Sequence, residues 1–198
     1  MRLAADWVPS GSCVADIGTD HGYLCAYLAL RENPPQRLLA CDIAEKPLQN
    51  AANSLAAYGV SDRVELRLSD GLSGIAEDEA DCILLLGMGG TLISRILSAC
   101  PWIKAAGKRL ILQPMSRANE AREWLCGNGF LITQEAVVRE GRRLYLLIRA
   151  EYTGVAADAF APGYEYYGEL PRLNTPDAKL LLERTAAHLR ARERGRRA

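Results

Sequence analysis

Short apolar runs recur along the first 150 residues, and several are apolar at successive positions, as in "CILLLG" (Cys82 to Gly87) and "RLILQ" (Arg109 to Gln113). A strand with one wet face alternates apolar and polar residues, whereas a strand covered on both faces has no such need. The runs therefore predict a mostly parallel sheet covered by helices. The strands expected are Ser12–Ile17, Arg37–Asp42, Val64–Leu68, Asp81–Leu86, Arg109–Leu112, Leu131–Val138 and Arg143–Arg149. Helical patterns fall between them at Tyr23–Arg31, Lys46–Tyr58, Thr91–Ala99 and Arg117–Cys126. The last two strands meet at "EGRR", which leaves no room for a crossover helix, so they should form an antiparallel hairpin. The expectation is an α/β, Rossmann-like doubly wound fold: seven strands, mostly parallel, with a terminal antiparallel hairpin. With 198 residues, 49% hydrophobic and 24% charged, there is material for one well-buried domain over 1–150 and a small helical extension over 151–198.

Several function classes are excluded early. No apolar run has the roughly 18 to 20 residues that span a bilayer, and "MRLAADWVPSGS" lacks the form of a signal peptide, so the cytoplasm is the expected location. Six cysteines (Cys13, Cys25, Cys41, Cys82, Cys100 and Cys126) lie far apart with no C-x-x-C pair. Reduced, buried thiols are expected rather than disulfides or a metal site. His21 and His188, the only histidines, are too distant in sequence for a local zinc motif, so no metal is expected. Trp7, Trp102 and Trp124 fall in or beside helical patterns and read as core. The formal net charge is zero but unevenly spread. From Lys179 onward there are seven Lys/Arg against two Asp/Glu, leaving seventeen against 22 in the first 178 residues. An acidic body with a basic tail suggests a polyanionic partner, although a solvated terminal helix would look the same.

In doubly wound sheets ligands bind beyond the carboxyl ends of the strands. Asp16, Ile17 and Gly18 close the first strand, Asp42 the second, Asp70 and Gly71 follow the third, and "GMGG" (Gly87 to Gly90) follows the fourth. All lie on one rim. The first turn reads G-T-D-H-G in place of the dinucleotide fingerprint G-x-G-x-x-G, and puts Asp20 where a second close-approach glycine is usual. Two carboxylates, Asp16 and Asp20, would repel a pyrophosphate in a low-dielectric cleft, which makes NAD and ATP poor ligands. S-adenosyl-L-methionine suits the turn: it has no phosphate, carries a sulfonium and an ammonium, and offers ribose hydroxyls to Asp42. The competing reading is that Asp16 and Asp20 cap the next helix.

The stretches "VADIGTDHGYL", "ACDIAEKPLQNAANSLAAYGVSDRVELRLSDGL", "LLGMGGTLISRIL", "RLILQP" and "VVREGRRLYLLI" together resemble the bacterial tRNA adenine-N1-methyltransferase family that acts at position 22 in the D-arm. The resemblance runs in order over about residues 2–150, and the pairing of D-I-G-x-D-H with G-M-G-G is far more specific than a lone glycine-rich turn. It implies a class I methyltransferase domain followed by a helical C-terminal region that helps hold tRNA. It also implies a cofactor pocket at Asp16, Gly18, Asp20, Asp42, Asp70 and the Gly87–Gly90 loop, with Thr19, Ile43, Gly71, Met88 and Gly89 among its cofactor-binding residues. Two departures stand out. One clear helix follows the linker instead of a helical hairpin, with Thr175 as N-cap, Pro176 at its first turn and Leu181, Leu182 and Leu189 as an apolar stripe. Met115 stands where relatives more often carry asparagine after Q-P.

N1 of adenine exposes a lone pair at neutral pH, so alignment is the main task. Asp20 is the candidate for stabilising positive charge on the ring, and Asp20 or His21 for accepting the N6 proton. Gly90, Gln113 and Pro114 are candidate substrate contacts on the rim, and Arg190, Arg192 and Arg194 candidate phosphate contacts in the tail. Tyr164, Tyr166 and Tyr167 read either as base-stacking residues or as linker packed on the main domain. The partner expected is tRNA, with a monomer favoured. Two other functions stay open: a methyltransferase of this fold with another RNA, a protein or a small molecule as acceptor, and a catalytically silent RNA-binding module.

Overall fold

The structure is a computed structural model and describes residues 1–155 and 161–197. The part of the expected linker at 156–160 lies outside the described residues. A short helix, α1 (Arg2–Asp6), precedes β1 (Cys13–Ile17), α2 (Tyr23–Ala29), β2 (Arg37–Asp42), α3 (Glu45–Ala57) and β3 (Glu65–Leu68). Next come β4 (Cys82–Gly89), α4 (Gly90–Ser98), β5 (Arg109–Ser116), α5 (Ala118–Gly127) and the hairpin of β6 (Phe130–Glu140) and β7 (Arg143–Tyr152). The chain ends with α6 (Tyr164–Tyr167) and the 22-residue α7 (Pro176–Arg197).

The seven strands form one sheet in the order β3-β2-β1-β4-β5-β7-β6. The pairs from β3 to β5 are parallel, and β7 is antiparallel to both β5 and β6. The strand order reverses between β1 and β4, which opens a crevice at their carboxyl ends. Successive residues of the central strands feed opposite faces, as unbroken apolar runs should. Ile83 and Leu85 pack beneath α4 and α5 with Ile93, Leu97 and Leu125, while Cys82 and Leu84 face α1, α2 and α3 with Ala5, Leu28 and Leu55. All six cysteines are free thiols, five of them buried. Trp7 is buried, and Trp102 and Trp124 sit half-buried at the core's edge.

One expectation needs correction. G-M-G-G is not a loop beyond a finished strand: β4 continues to Gly89, bulged between Leu86 and Met88, and Gly90 already opens α4. The extension is possible because β5 also runs on, pairing Leu86 with Gln113, Met88 with Pro114 and Gly89 with Ser116. The tyrosines of "GYEYY" belong to a linker packed on the main domain, one of the two readings expected of them. They form α6, and Tyr164 packs on the core with its hydroxyl donating to Glu169 at 2.9 Å. At α7 the expected cap is present: the Ala178 N–H donates to Thr175 Oγ1 at 3.2 Å.

Candidate active site

The turn after β1 is built almost without spare donors. The Gly18 and Thr19 N–H groups both donate to the Cys41 carbonyl, at 2.8 and 3.0 Å, and the Gly22 N–H donates to the Thr19 carbonyl at 3.0 Å. The Asp20 N–H points at Asp42 Oδ2, 3.4 Å away. Phosphate-binding turns work by aiming such N–H groups at the anion; here they are turned inward. Gly18 has φ +72°, a left-handed backbone that favours glycine, and a Cβ on it would lie 2.5 Å from the flexible end of Met88, at Cε, which would have to shift.

The two carboxylates of this turn have different surroundings. Asp16 is buried, accepts the Thr19 hydroxyl at 2.8 Å and faces Cys25 Sγ at 3.7 Å. Desolvation pushes its pKa up to about 6, against the opposing effect of the Thr19 and Cys25 hydrogen bonds. Asp20 projects outward with 67% of its side chain exposed, and its Oδ2 is 3.5 Å from His21 Nε2. The His21 ring stacks on Tyr23, with centroids 5.4 Å apart. Neither Asp caps α2: its N-cap is Gly22, which makes no side-chain bond. The capping explanation is overturned.

One cleft at the switch point gathers Asp16, Gly18, Thr19, Asp20, His21, Gly87 and Gln113. Among the described residues, no lysine or arginine lines it. Asp42 joins it through the bond to Asp20 and also accepts the Ala44 N–H at 3.2 Å, with exposed Ile43 beside it. A negative, phosphate-averse cleft bordered by an accessible carboxylate at the end of β2 fits a cationic ligand with vicinal hydroxyls, the donor set of S-adenosyl-L-methionine. The wall contributed by Met1 and Ala4 was not legible in the sequence, because α1 is too short to show periodicity.

Other rim residues fall elsewhere. Asp70 is exposed beyond β3, and Gly71 is buried against Ile96. Met88 is half-buried beside Gly18, and Gly89 lies next to Ser116. Gly90 is buried, and a Cβ on it would lie 2.0 Å from the Arg117 carbonyl oxygen. That geometry gives Gly90 a packing role between α4 and the β5–α5 turn, not a surface that meets substrate. Pro114 lines a second cleft, together with Arg192 of α7. Arg190 and Arg194 are exposed on α7 outside that cleft, and the side chains of Arg196 and Arg197 lie outside the described residues.

Sequence reasoning missed a buried ion pair behind this region. Arg122 of α5 and Glu135 of β6 meet through two hydrogen bonds, at 2.7 and 3.1 Å, with side chains 1% and 0% exposed. Arg122 also donates to the Glu165 and Tyr166 carbonyls, and the Glu169 N–H donates to Glu135. The pair therefore holds the segment leading to α7 against the domain.

The strand order, with its antiparallel β7, and the acidic switch-point cleft together define a methyltransferase-type α/β domain, and residues 1–148 match the methyltransferase-domain family. The Bacillus subtilis tRNA (adenine(22)-N(1))-methyltransferase is 33% identical over 166 residues, which cover 80% of this chain and 69% of that protein. A provisionally named tRNA (m1A22) methyltransferase from Streptococcus pneumoniae, solved with S-adenosyl-L-methionine, superposes with a TM-score of 0.84 at 29% identity over 96% of this chain and 87% of that one. The Bacillus subtilis m1A22 enzyme structure gives 0.74 at 27% identity, over 96% and 94%. The chain belongs to the tRNA (adenine(22)-N(1))-methyltransferase family.

Proposed function

We propose that this chain transfers a methyl group from S-adenosyl-L-methionine to N1 of adenine 22 in the D-arm of tRNA. The observation that carries the reading is the cleft after β1: Asp16, Asp20 and Asp42 at adjacent strand ends, no lysine or arginine among the described residues that line it, and the Gly18 and Thr19 N–H groups turned away from it. Membership of the family supplies the acceptor.

When bound, S-adenosyl-L-methionine supplies an electrophilic methyl on a sulfonium. Asp42 accepts from the ribose hydroxyls, and buried Asp16 fixes the turn through Thr19 while adding negative potential beneath it. Asp20 faces the acceptor side. As positive charge develops on the adenine ring, its fixed carboxylate stabilises that charge, and Asp20 with neighbouring His21 is placed to accept the N6 proton afterwards. Gln113 lines the same cleft and positions the base edge. Alignment at near-attack distance supplies the rest of the acceleration.

Calorimetric titration tests the cofactor half of the proposal. S-adenosylhomocysteine should bind and NAD should not, and Asp42→Ala should weaken S-adenosylhomocysteine about tenfold by removing a charge-assisted bond. Tight NAD binding, or unchanged affinity in Asp42→Ala, would contradict it.

A further inference from the structure

Two non-glycine residues among the described residues have left-handed backbone: Asp20, with φ 52°, and Arg117, with φ 50°. Both follow a strand at the carboxyl rim, Asp20 after β1 and Arg117 directly after β5. Such a conformation persists in a residue with a Cβ only where its surroundings enforce it. For Arg117 the enforcement is visible: its carbonyl is packed against the Cα of Gly90. Its side chain, 66% exposed, pairs with Glu120 at 3.0 Å, a weak surface pair.

Arg117 lines a cleft of about 840 Å³ between the β5–α5 turn and α7. On α7 the lining positions are 181, 184, 185, 188, 189 and 192, the three- and four-residue spacing of one helix face. Leu181 and Leu189 give that face an apolar floor, and Arg184, His188 and Arg192 line it with basic groups. Arg37, Arg67, Arg109 and Arg139 all have carboxylate partners, yet among the described residues no carboxylate pairs with Arg184 or Arg192. The cleft is continuous in sequence with the acidic one: Gln113 lines the first and Pro114, the next residue, lines the second.

We propose that this basic cleft holds the sugar–phosphate strand next to the target adenine, with Arg117, Arg184 and Arg192 as its phosphate contacts. The acidic cleft repels phosphate and takes a cation and a base, while the adjoining cleft, with the guanidiniums of Arg184 and Arg192 over an apolar floor and Arg117 shared with the carboxylate of Glu120, takes the backbone that the same strand must place somewhere. The division also selects among the tail arginines: Arg184 and Arg192 face the strand, whereas Arg190 and Arg194 do not line the cleft. This inference rests on the tRNA methyltransferase reading, and its test is arranged so that the two fail separately.

The test uses the full chain and an unmodified tRNA transcript with adenine at position 22. Arg184→Ala and Arg192→Ala should each weaken tRNA binding several-fold and lower the log–log salt slope by roughly 0.7 to 0.9. Lys179→Ala removes the same charge from an exposed site on α7 outside the cleft and should change affinity by less than about twofold. Arg117→Gly should raise the KM for tRNA about tenfold without altering S-adenosylhomocysteine affinity or lowering the melting temperature, because glycine adopts this backbone without strain. A structural role for Arg117 would instead lower the melting temperature. If wild-type protein methylates the transcript but Arg117→Gly and Arg192→Ala bind it like wild type, the cleft proposal falls alone. Equal losses in Lys179→Ala would reduce it to a diffuse basic field and overturn it too. A wild-type chain that leaves the transcript unmethylated would overturn the functional reading first.

Discussion

Asp16 and Asp20 are four residues apart, and their environments give them opposite tasks. Asp16 has a folded pKa of about 6 against 3.8 for the free group, so the native state holds more protons than the unfolded chain between about pH 4 and pH 6. Its ionisation therefore removes stability as pH rises through that window, on the order of 3 kcal/mol in all. Asp16→Asn has no such ionisation, so its stability relative to wild type should improve between about pH 4 and pH 7.5 in urea unfolding; a difference constant across pH would show that Asp16 is not held in a desolvated state. Asp20, exposed at the rim, should act on the reaction: Asp20→Asn should slow single-turnover methyl transfer about a hundredfold while changing cofactor affinity only a few-fold. Equal losses in both would assign Asp20 to the cofactor alone. The sequence disclosed this pair as two acids where a phosphate-binding turn would not place them. It could not disclose their division of labour, which depends on Thr19 and Cys25 closing over Asp16. Nor could it show that Gly90 faces the Arg117 carbonyl, a contact between elements distant in the chain.

Among the elements, α7 depends most on contacts made far from it in sequence. Its first turn is fixed by Thr175 and by Asp177, which pairs with Arg139 of β6, and the segment before it is held by the buried Arg122–Glu135 pair. These two ion pairs should differ sharply in cost. Glu135→Ala leaves a buried guanidinium uncompensated and should destabilise the protein by about 3 to 5 kcal/mol, whereas Arg139→Ala breaks an exposed pair and should cost less than about 1 kcal/mol. Urea unfolding of both variants measures this, and similar values would mean that the C-terminal segment is not held through Glu135. The start of α7 was legible because Thr-Pro-Asp is local chemistry. The Arg122–Glu135 pair was not, since each residue sits in an unremarkable helical or strand pattern and only the fold joins them. The extra length of β4 and β5 was hidden for a related reason: Gly87 and Pro114 read as the ends of strands, and it is the pairing of Met88 with Pro114 and Gly89 with Ser116 that carries both strands further.

For the whole molecule, unbroken apolar runs and the final hairpin were enough to anticipate a seven-stranded sheet with one antiparallel excursion, because burial on both faces leaves few other arrangements for such sequences. The position of the site followed from the same logic, since strand ends at a switch point form a single rim. What the sequence did not contain is the separation of that rim into an acidic cleft and a basic one, which appears only when α7 is laid against the β5–α5 turn. In the proposed function these parts serve one act: a cation and a base meet over Asp20, and the methyl group goes to N1 of one adenine. The most direct test incubates the full chain with unmodified tRNA and methyl-labelled S-adenosyl-L-methionine, then maps the product by nuclease digestion and mass spectrometry. The expected result is one added methyl on the fragment containing position 22, recovered as N1-methyladenosine and abolished when that adenine is replaced by guanine. Label on another base, on another position or on no RNA at all would contradict it.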